Sequence, residues 1–298
     1  MDMIKTGIFS MVGRPNAGKS TLLNTLCGSK IAIVSDKPQT TRSRITGILN
    51  EDGYQLVFVD TPGLHKPKNR LGDYMVDVIN TTVADVDAVI LLVEPVARIG
   101  VPEQILIDRI RELEIPAILL INKIDVLEDK EKLLEIIALY SQAHEFEAVI
   151  PLSAKKGDGT DILKGQLRKM CIDSPQLYPD DMRSDQPLRQ QIAEIIREKM
   201  LGALDKEVPH GVAIEIETLE RRENGVTDIG AVIYCERKTH KGIIIGKGGG
   251  MLKLIGAQAR TELEELIGGK VFLELWVKVK EDWRNNPAQV RNFGYRQE

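Results

Sequence analysis

Short apolar runs alternate with amphipathic segments of helical length from residue 5 to about residue 170. This alternation is typical of a mostly parallel β-sheet covered by helices, because strands buried on both faces read as nearly continuous apolar runs. Segments 103–113 and 130–140 have helical spacing and can serve as crossover connections. We therefore expect a doubly wound α/β domain over residues 1–173. Its predicted strands are residues 6–12, 54–60, 86–94, 117–122 and 148–153.

A stretch rich in proline and aspartate, residues 174–187, has little apolar periodicity and is predicted to be a linker. The order of elements predicted after it is α-β-β-α-α-β, provided that the segment THKGIII supplies part of the middle helix. We expect a smaller α+β domain over residues 188–298, ending in a basic tail. Its predicted elements are a helix at 187–204, strands at 212–218 and 229–235, a glycine-rich turn at 246–250, a helix to about 267 and a strand at 271–279.

The last predicted strand alternates between apolar and other residues. One face is formed by residues 271, 273, 275 and 277, which are Val, Leu, Leu and Val, and we expect it in the core. Trp276 lies on the other face, where it either stacks on a bound base or covers a helix. We favour the second interpretation.

The length of 298 residues favours two domains, because one core seldom grows beyond about 250–300 residues. No run approaches the roughly 18 apolar residues of a membrane span, and the first residues lack the pattern of a secretion signal. We therefore expect a cytoplasmic protein. The three cysteines and four histidines show no metal-ligand spacing, which predicts no zinc site.

The net charge of −4 hides an asymmetry along the chain. Residues 237–298 carry 12 Lys or Arg against 7 Asp or Glu, whereas residues 1–173 carry 21 against 24 and residues 174–236 carry 7 against 13. A basic end on an acidic protein usually binds polyanions. The alternative is a solvated basic face without a partner.

The segment Gly13-Arg14-Pro15-Asn16-Ala17-Gly18-Lys19-Ser20 follows the first predicted strand and precedes a helix that begins TLLNTL. It matches the pattern GxxxxGK[ST] in the context that a phosphate-binding loop requires. Backbone N–H groups and the helix N-terminus would bind phosphate oxygens. Lys19 is expected to bridge the β- and γ-phosphates, and the Ser20 hydroxyl is expected to bind Mg²⁺.

The base is indicated by Asn122-Lys123-Ile124-Asp125, at the end of a predicted strand. Guanine presents two donors, N1–H and the 2-amino group, to one carboxylate, and Asp125 can supply that carboxylate. Asn122 can connect this loop to the phosphate-binding loop, and Lys123 can lie over the base. Ser153-Ala154-Lys155 fits a companion loop in which the Ala154 N–H binds guanine O6.

Asp60-Thr61-Pro62-Gly63 closes the predicted strand at 54–60, where Asp60 would lie near the magnesium and the Gly63 N–H near the γ-phosphate. Residues 35–46, SDKPQTTRSRIT, form a polar stretch predicted to become ordered when the γ-phosphate is present. Thr41 is the predicted second protein ligand of Mg²⁺, with Thr40 as the alternative. The predicted metal ligands are Ser20, Thr41 and Asp60.

A GxxG turn, Gly246-Lys247-Gly248-Gly249, falls between the two predicted helices of the C-terminal domain. In an α-β-β-α-α-β order it resembles the turn of a KH domain of type II, whose loop clamps about four nucleotides of single-stranded backbone. Lys238, Lys241 and Lys253 add positive charge nearby, and Ile243 to Ile245 could form the floor of a base groove. The residues predicted to bind RNA are Ile245, Gly246, Lys247, Gly248, Gly249 and Lys253.

Together these segments resemble the Ras-like GTPases, and more closely the Era family of bacterial GTPases that act in ribosome assembly. The resemblance rests on GRPNAGKSTLLN, PQTTR, DTPGLHKP, NKID, SAKKG, YPDD and IIIGKGG, and it covers essentially the whole chain. Gly211 departs from the family, where we expect serine. The predicted nucleotide-binding residues are Gly13, Arg14, Pro15, Asn16, Ala17, Gly18, Lys19, Ser20, Thr21, Asp60, Thr61, Pro62, Gly63, Leu64, Asn122, Lys123, Asp125, Ser153, Ala154 and Lys155.

The resemblance implies a GTP hydrolase that binds GTP or GDP with Mg²⁺ and has slow intrinsic turnover. It also implies a monomer that binds the 3′ end of 16S ribosomal RNA through its KH domain and acts in 30S assembly and rRNA maturation. Peripheral association with the inner face of the cell membrane is a further expectation. The alternatives are an RNA scaffold gated by nucleotide, with incidental hydrolysis, and a membrane-associated growth regulator whose basic end meets anionic lipid.

Hydrolysis requires a positioned water, and many Ras-like enzymes use a glutamine directly after the DxxG glycine. This chain has Leu64 there, and leucine cannot polarise water. Asn16 occupies the position that binds an activating potassium ion in some related GTPases, and K⁺ could supply charge to the transition state. The predicted catalytic residues are therefore Lys19, Thr41 and Asn16.

Overall fold

A computed structural model of the chain describes residues 3–129 and 131–295. These residues form two compact units. The first comprises the chain up to Pro67 together with Met75–Asp185, and the second comprises Lys68–Tyr74 together with the chain from Gln186 onwards. The short segment Lys68–Tyr74 is therefore separated in sequence from the rest of its unit.

The first unit is built on one mixed sheet with the strand order β2-β3-β1-β4-β5-β6. Strands β1, β3, β4, β5 and β6 are parallel, and β2 is antiparallel to β3. The strands are β1 (Met3–Gly13), β2 (Ile45–Glu51), β3 (Tyr54–Asp60), β4 (Ala88–Val93), β5 (Ala117–Ile121), β6 (Ala148–Pro151) and β7 (Ile172–Pro175). The helices are α1 (Lys19–Cys27), α2 (Arg70–Ala84), α3 (Val101–Leu113), α4 (Glu131–Ala143) and α5 (Thr160–Met170).

Both faces of this sheet are buried. Ile90 and Leu92 of β4 join a core with α1 and α5, whereas Val89, Leu91 and Val93 join a core with α3 and α4. Successive strand residues point to opposite faces, so a strand covered on both sides must be apolar throughout. The prediction of a doubly wound α/β domain is confirmed.

Two strands were missed by the sequence pattern. Strand β2 lies at the edge of the sheet, and its residues ITGILNE contain a glycine and polar residues that break the apolar run. Strand β7, with the sequence IDSP, is mostly exposed and is held by its backbone, antiparallel to the first residues of β1. Strand β2 is buried over its first five residues, but Thr46 and Gly47 interrupt its apolar run, and β7 is mostly exposed, so neither gives the signal of a buried strand.

The segment predicted as a linker packs on the first unit as far as Asp185. The Gln55 side chain is fully buried beneath it. Its Oε1 accepts the N–H groups of Leu177 and Tyr178 at 2.8 and 3.0 Å, and its Nε2 donates to Tyr178 O at 2.8 Å. The Ile48 N–H donates to Arg183 O at 2.9 Å. These bonds make residues 174–185 part of the first unit, although their composition is typical of a linker.

The second unit has a three-stranded sheet in the order β10-β9-β8, with β10 parallel and β8 antiparallel to β9. Its α-β-β-α-α-β order agrees with the prediction, and THKGIII lies within the middle helix. The elements are α6 (Leu188–Ala203), β8 (Val212–Arg221), β9 (Thr227–Cys235), α7 (Lys238–Ile245), α8 (Gly250–Ile267), β10 (Val271–Val279) and α9 (Pro287–Asn292).

Helices α6, α7 and α8 pack on one face of this sheet. The even-numbered residues of β10 point to the other face, and Trp276 there is 61% exposed. The favoured interpretation, that Trp276 covers a helix, is therefore wrong. The prediction that Val271, Leu273, Leu275 and Val277 face the core is confirmed.

Candidate functional site

The phosphate-binding loop leaves β1 at Gly13 and enters α1 at Lys19. The Lys19 ammonium is nearly buried and donates to the backbone oxygens of Gly13 and Arg14 at 3.4 and 3.1 Å. Burial lowers the pKa of Lys19, and the carboxylate of Asp60 partly opposes this effect. The loop thus places the Lys19 ammonium at the N-terminus of α1. Both the ammonium and the helix N-terminus favour a bound anion there.

Ser20, Thr41 and Asp60 bring their oxygen atoms together beside this loop. The Ser20 Oγ lies 2.6 Å from Asp60 Oδ2 and 2.9 Å from Thr41 Oγ1, and Thr41 Oγ1 lies 3.4 Å from Asp60 Oδ2. Thr40 instead donates its hydroxyl to Lys37 O at 2.6 Å. Thr41, and not Thr40, therefore joins Ser20 and Asp60 in the predicted set of metal ligands. The Thr40 hydroxyl bonds within its own loop.

Asp60 is fully buried, and its Oδ1 has no hydrogen-bond partner among the residues that the structure describes. Burial raises the pKa of Asp60, whereas Lys19 and the hydroxyls of Ser20 and Thr41 lower it. A buried carboxylate with a free oxygen costs free energy unless a cation or donor faces it. A small hard cation with oxygen ligands would satisfy this set.

Gly63 and Leu64 follow β3. Gly63 contacts the phosphate-binding loop, whereas the Leu64 side chain packs in the core. A Cβ atom on Gly63 would lie 2.4 Å from the Pro15 nitrogen, so only glycine allows the two loops to approach this closely. Leu64 donates its N–H to Gly13 O at 3.1 Å, and its side chain is buried in the core with Val12. The residue that replaces the usual glutamine therefore lies in the core. Thr61 likewise turns inward and donates to Met11 O at 2.8 Å.

A cleft of about 590 Å³ runs from the phosphate-binding loop to Lys123. It collects predicted residues from several loops, together with residues 33–36 and Glu94, which were not predicted individually. Lys123 donates to Glu94 at 2.6 Å. Glu94 directly follows β4, at the carboxyl end of the strands, where ligand-binding loops meet. That position in the sequence could have identified it as a residue of the site. The predicted residues that line the cleft are Arg14, Pro15, Asn16, Gly18, Lys19, Ser20, Thr21, Thr41, Gly63 and Lys123.

The two predicted base-binding loops are joined to each other and to the phosphate-binding loop. Asn122 donates to Ala17 O at 2.8 Å and accepts the Ala154 N–H at 2.9 Å. Ser153 Oγ donates to Asp125 Oδ1 at 2.6 Å. This bond lowers the pKa of the exposed Asp125 carboxyl. Asp125 is thus held ionised at neutral pH.

The assignment of the Ala154 N–H to guanine O6 conflicts with this geometry, because Asn122 already accepts that hydrogen. A backbone N–H serves one strong acceptor at a time.

Asn16 contacts the loop at residues 35–46, and Gln39 of that loop contacts His65, in ways that the sequence did not indicate. Asn16 has φ of 66° and donates its side-chain amide to Asp36 O. Gln39 Nε2 lies 3.0 Å from Nε2 of His65, whose Nδ1 lies 3.0 Å from Gly63 O. The pair joins the loop before β2 to the segment after Gly63, and Gln39 also lines the cleft.

The GxxG turn of the second unit joins α7 to α8. Gly246 has φ of 73° and ψ of 175°, which only glycine adopts readily, and a Cβ there would lie 2.6 Å from Met251 Cβ. Lys247 and Gly248 are exposed. Ile243 is half exposed, but Ile244 is fully buried in the core, so Ile244 cannot form part of a base groove as expected.

The lysines around the turn are available to a polyanion. Among the described residues, none of Lys238, Lys241, Lys247 and Lys253 forms an ion pair with a carboxylate. Within the same residues, no helix is long and apolar enough to span a bilayer. The described part of the chain also contains no group of three or more His, Cys, Asp or Glu residues that could hold a metal ion.

Fold and site together define a P-loop GTPase joined to a KH module. Residues 8–123 match the family described as 50S ribosome-binding GTPase, and residues 207–284 match the KH domain. The chain is 49% identical to GTPase Era of Ruminiclostridium cellulolyticum and 48% identical to GTPase Era of Alkaliphilus metalliredigens, over 98% of this chain and 98–99% of theirs. The chain belongs to the Era family of GTPases, and it is a GTP hydrolase.

A solved structure of Era resembles the chain over both units. It contains MgGDPNP and nucleotides 1506–1542 of 16S ribosomal RNA, and it matches with a TM-score of 0.95 at 38% identity, covering 99% of this chain and 100% of that one. A structure of a variant of Aquifex aeolicus Era bound to GDP.AlF4- matches equally well. The predictions of a P-loop domain followed by a KH domain are confirmed.

Proposed function

We propose that this GTPase binds Mg²⁺ with its nucleotide, binds the 3′ end of small-subunit ribosomal RNA through the Gly246–Gly249 turn, and acts in 30S assembly and rRNA maturation. The observation that carries the proposal is the full-length match to an Era that was solved with both MgGDPNP and that RNA. Residues 1–173 would bind and hydrolyse GTP, and residues 188–298 would bind RNA. Cytoplasmic location and a monomeric state belong to the same proposal.

The decisive test of the RNA partner is crosslinking in cells, followed by sequencing of the attached RNA. Enrichment of the small-subunit rRNA 3′ end supports the proposal, and an RNA profile without it contradicts the proposal. Turnover with purified small subunits separates an assembly GTPase, which they should stimulate, from a scaffold with incidental hydrolysis. The scaffold is the second candidate because Leu64 is buried and cannot position water. Flotation with anionic vesicles tests peripheral membrane association.

Ser20, Thr41 and Asp60 are the residues that would hold Mg²⁺. The Oδ1 of buried Asp60, which has no hydrogen-bond partner in the described part of the chain, supports this assignment, because a cation would satisfy it. When bound, the ion would neutralise charge on the phosphates. Asp60 supplies the negative charge of the set, and the hydroxyls of Ser20 and Thr41 supply neutral oxygens.

Ser20→Ala is expected to lower the affinity for GTP by at least tenfold in Mg²⁺ and to leave it unchanged in EDTA, because only a metal ligand is lost. Thr41→Ala should weaken binding of a GTP analogue more than of GDP. Thr40→Ala is the matched control, since its hydroxyl bonds to Lys37 O. The measurement is nucleotide titration with and without Mg²⁺. Equal losses in EDTA, or a larger loss for Thr40→Ala, would contradict the assignment.

Potassium activation is proposed from the position of Asn16, whose amide reaches the loop before β2. A monovalent cation beside the phosphates would supply positive charge to the transition state, which the buried leucine at position 64 cannot do. Turnover of the wild type is expected to be at least tenfold faster in KCl than in NaCl, and Asn16→Ala should remove the difference. Rates that are equal in both salts for the wild type would rule potassium out.

Nucleotide and RNA binding are expected to be coupled, because the chain changes units at Lys68, five residues after Gly63. If the γ-phosphate reorders this region, the RNA affinity should differ between the GTP-analogue and GDP states by about 5- to 150-fold, the usual span of about 1–3 kcal/mol. Linkage requires RNA to change the analogue affinity by the same factor. Both titrations belong at one ionic strength, since salt alone alters RNA binding. Identical RNA affinities with analogue, GDP and no nucleotide would show that the sites are uncoupled.

A further inference from the structure

Among the residues that the structure describes, no helix packs on one face of the three-stranded sheet in the second unit. We call it the outer face and define it by Asp228, Tyr234, Phe272, Glu274, Trp276 and Lys278, which alternate with core residues of β9 and β10. Trp276 is 61% exposed and Phe272 is 47% exposed. Large aromatic side chains this open on a regular strand are uncommon in a monomeric domain, and an exposed apolar patch with polar surroundings indicates a binding surface.

One end of the outer face is covered by the chain itself. Phe293, just after α9, lies with its ring centroid 4.9 Å from that of Tyr234. Lys280 Nζ lies 5.3 Å from the Tyr234 ring and 5.0 Å from the Phe293 ring. Trp283 is fully buried beside them and donates Nε1–H to Gly211 O at 2.9 Å. The covered end therefore combines aromatic packing with a cation over the rings.

The open end has the same chemistry but lacks the covering segment. Arg222 lies 5.0 Å from the centroid of Phe272, so a guanidinium already binds one ring of this face. Trp276 has no cation over its ring among the described residues. Trp276 pairs across the sheet with Val232, and Val232 pairs with Glu215.

The charges around Trp276 are predominantly negative. Two carboxylates are already engaged by cations: Asp228 pairs with Arg222 at 2.7 Å, and Glu217 pairs with Lys278 at 3.1 Å. Within the described part of the chain, Glu215, Glu220 and Glu274 have no cationic partner. Glu274 lies on the same face of β10 between Phe272 and Trp276. Two carboxylates without a cation thus occupy positions near Trp276 on this face: Glu274, two residues before it on β10, and Glu215, in register with it across β9.

We propose that the open end of the outer face, centred on Trp276, binds a cationic, arginine-containing segment of a partner protein. A guanidinium can lie over the Trp276 ring while it bonds to Glu215 or Glu274, which combines cation–π attraction with charge-assisted hydrogen bonds. RNA and anionic lipid are disfavoured here, because the carboxylates would face phosphates. A second copy of the same face is disfavoured for the same reason. The helices that form the GxxG turn lie on the other side of the sheet, so this segment and RNA would bind different surfaces.

The test uses the full-length protein and a nona-arginine peptide at fixed ionic strength. The chain has two tryptophans, and the other one is buried, so a change of tryptophan emission on titration reports mainly on Trp276. Trp276→Ala should weaken peptide binding at least fivefold, measured by anisotropy of a labelled peptide. Glu215→Lys with Glu274→Lys should weaken it at least tenfold. Glu135→Lys with Glu265→Lys makes the same charge change at exposed carboxylates on helices and should alter binding less than twofold.

Single-stranded RNA binding is the second measurement, and Trp276→Ala should leave it within twofold of the wild type. Equal effects of the two double variants on peptide binding would show general attraction to an acidic protein and overturn the proposal. A loss of RNA affinity in Trp276→Ala that matches the loss of peptide affinity would also overturn it, because the face would then bind nucleic acid. Cooperative unfolding of each variant at the wild-type temperature confirms that the comparisons concern folded protein.

Discussion

Replacement of Asp125 by asparagine is expected to weaken GTP binding by about 10²- to 10⁴-fold and to create affinity for xanthosine triphosphate. The carboxylate would accept N1–H and the 2-amino group of guanine, and each charge-assisted hydrogen bond contributes about 1.5–3 kcal/mol. Asparagine offers one acceptor and one donor, which complement the N1–H and 2-oxo groups of xanthine. The Ser153 hydroxyl, which donates to Asp125 at 2.6 Å, can donate equally to the asparagine oxygen.

The experiment compares the affinities of wild type and Asp125→Asn for GTP, XTP and ATP. Asp161→Asn is the matched control, because it removes the same charge from a carboxylate whose side chain is 94% exposed on α5. We expect its GTP affinity to stay within twofold of the wild type. If Asp125→Asn retained GTP affinity and gained none for XTP, Asp125 could not be the base-reading residue.

Lys247→Asp with Gly248→Asp is expected to reduce affinity for a single-stranded RNA oligonucleotide at least 100-fold and to leave GTP affinity unchanged. Both residues are exposed in the turn, and a Cβ on Gly248 meets no atom within 4 Å. Gly248 has φ of 59°, a left-handed conformation that aspartate adopts more readily than most residues. They would face the phosphate backbone in place of a cation. The slope of log affinity against log salt should also fall, because fewer counterions are released.

Gly268→Asp with Lys270→Asp is the matched control, because it replaces the same two residue types at the other end of α8, again with the glycine at positive φ, here 69°. That helix has 18 residues and is therefore about 27 Å long. The Lys270 side chain is 81% exposed, and a Cβ on Gly268 meets nothing within 4 Å. Similar losses of RNA affinity in both double variants would contradict a specific role for the GxxG turn. The turn would then only connect two helices, and RNA binding would depend on the overall charge of the domain.

The fold could be read from the sequence wherever burial on two faces imposed an apolar run. Strands β4 and β5 are such cases, and the GxxxxGK[ST] and NKxD segments placed the ligand loops at the ends of β1 and β5. The bond from Asn122 to Ala17 O is the connection that the sequence predicted between these loops. Local sequence patterns succeed here because the chemistry of phosphate and guanine fixes both residue type and spacing.

Other features depend on long-range packing, which no local pattern encodes. Leu64 was expected beside the nucleotide, yet its side chain lies in the core, and its sequence neighbours do not reveal that direction. The Ala154 N–H is taken by Asn122 because two loops that are distant in sequence meet. Trp276 alternates with core residues as any strand residue does, so its exposure depends on which face the helices cover.

Strand β7 determines where the first unit can be cut from the chain. A fragment that stops at residue 173 would leave the backbone groups of Met3 and Ile4 without their partners on that side, as an open strand edge that invites pairing between molecules. It would also remove the three backbone groups that bond to the Gln55 amide, together with the segment that covers this side chain. A fragment that extends to Asp185 keeps both. Aggregation of a shorter fragment would thus result from the position of the cut. A soluble, nucleotide-binding GTPase unit needs residues 174–185, although the composition of this segment is typical of a linker.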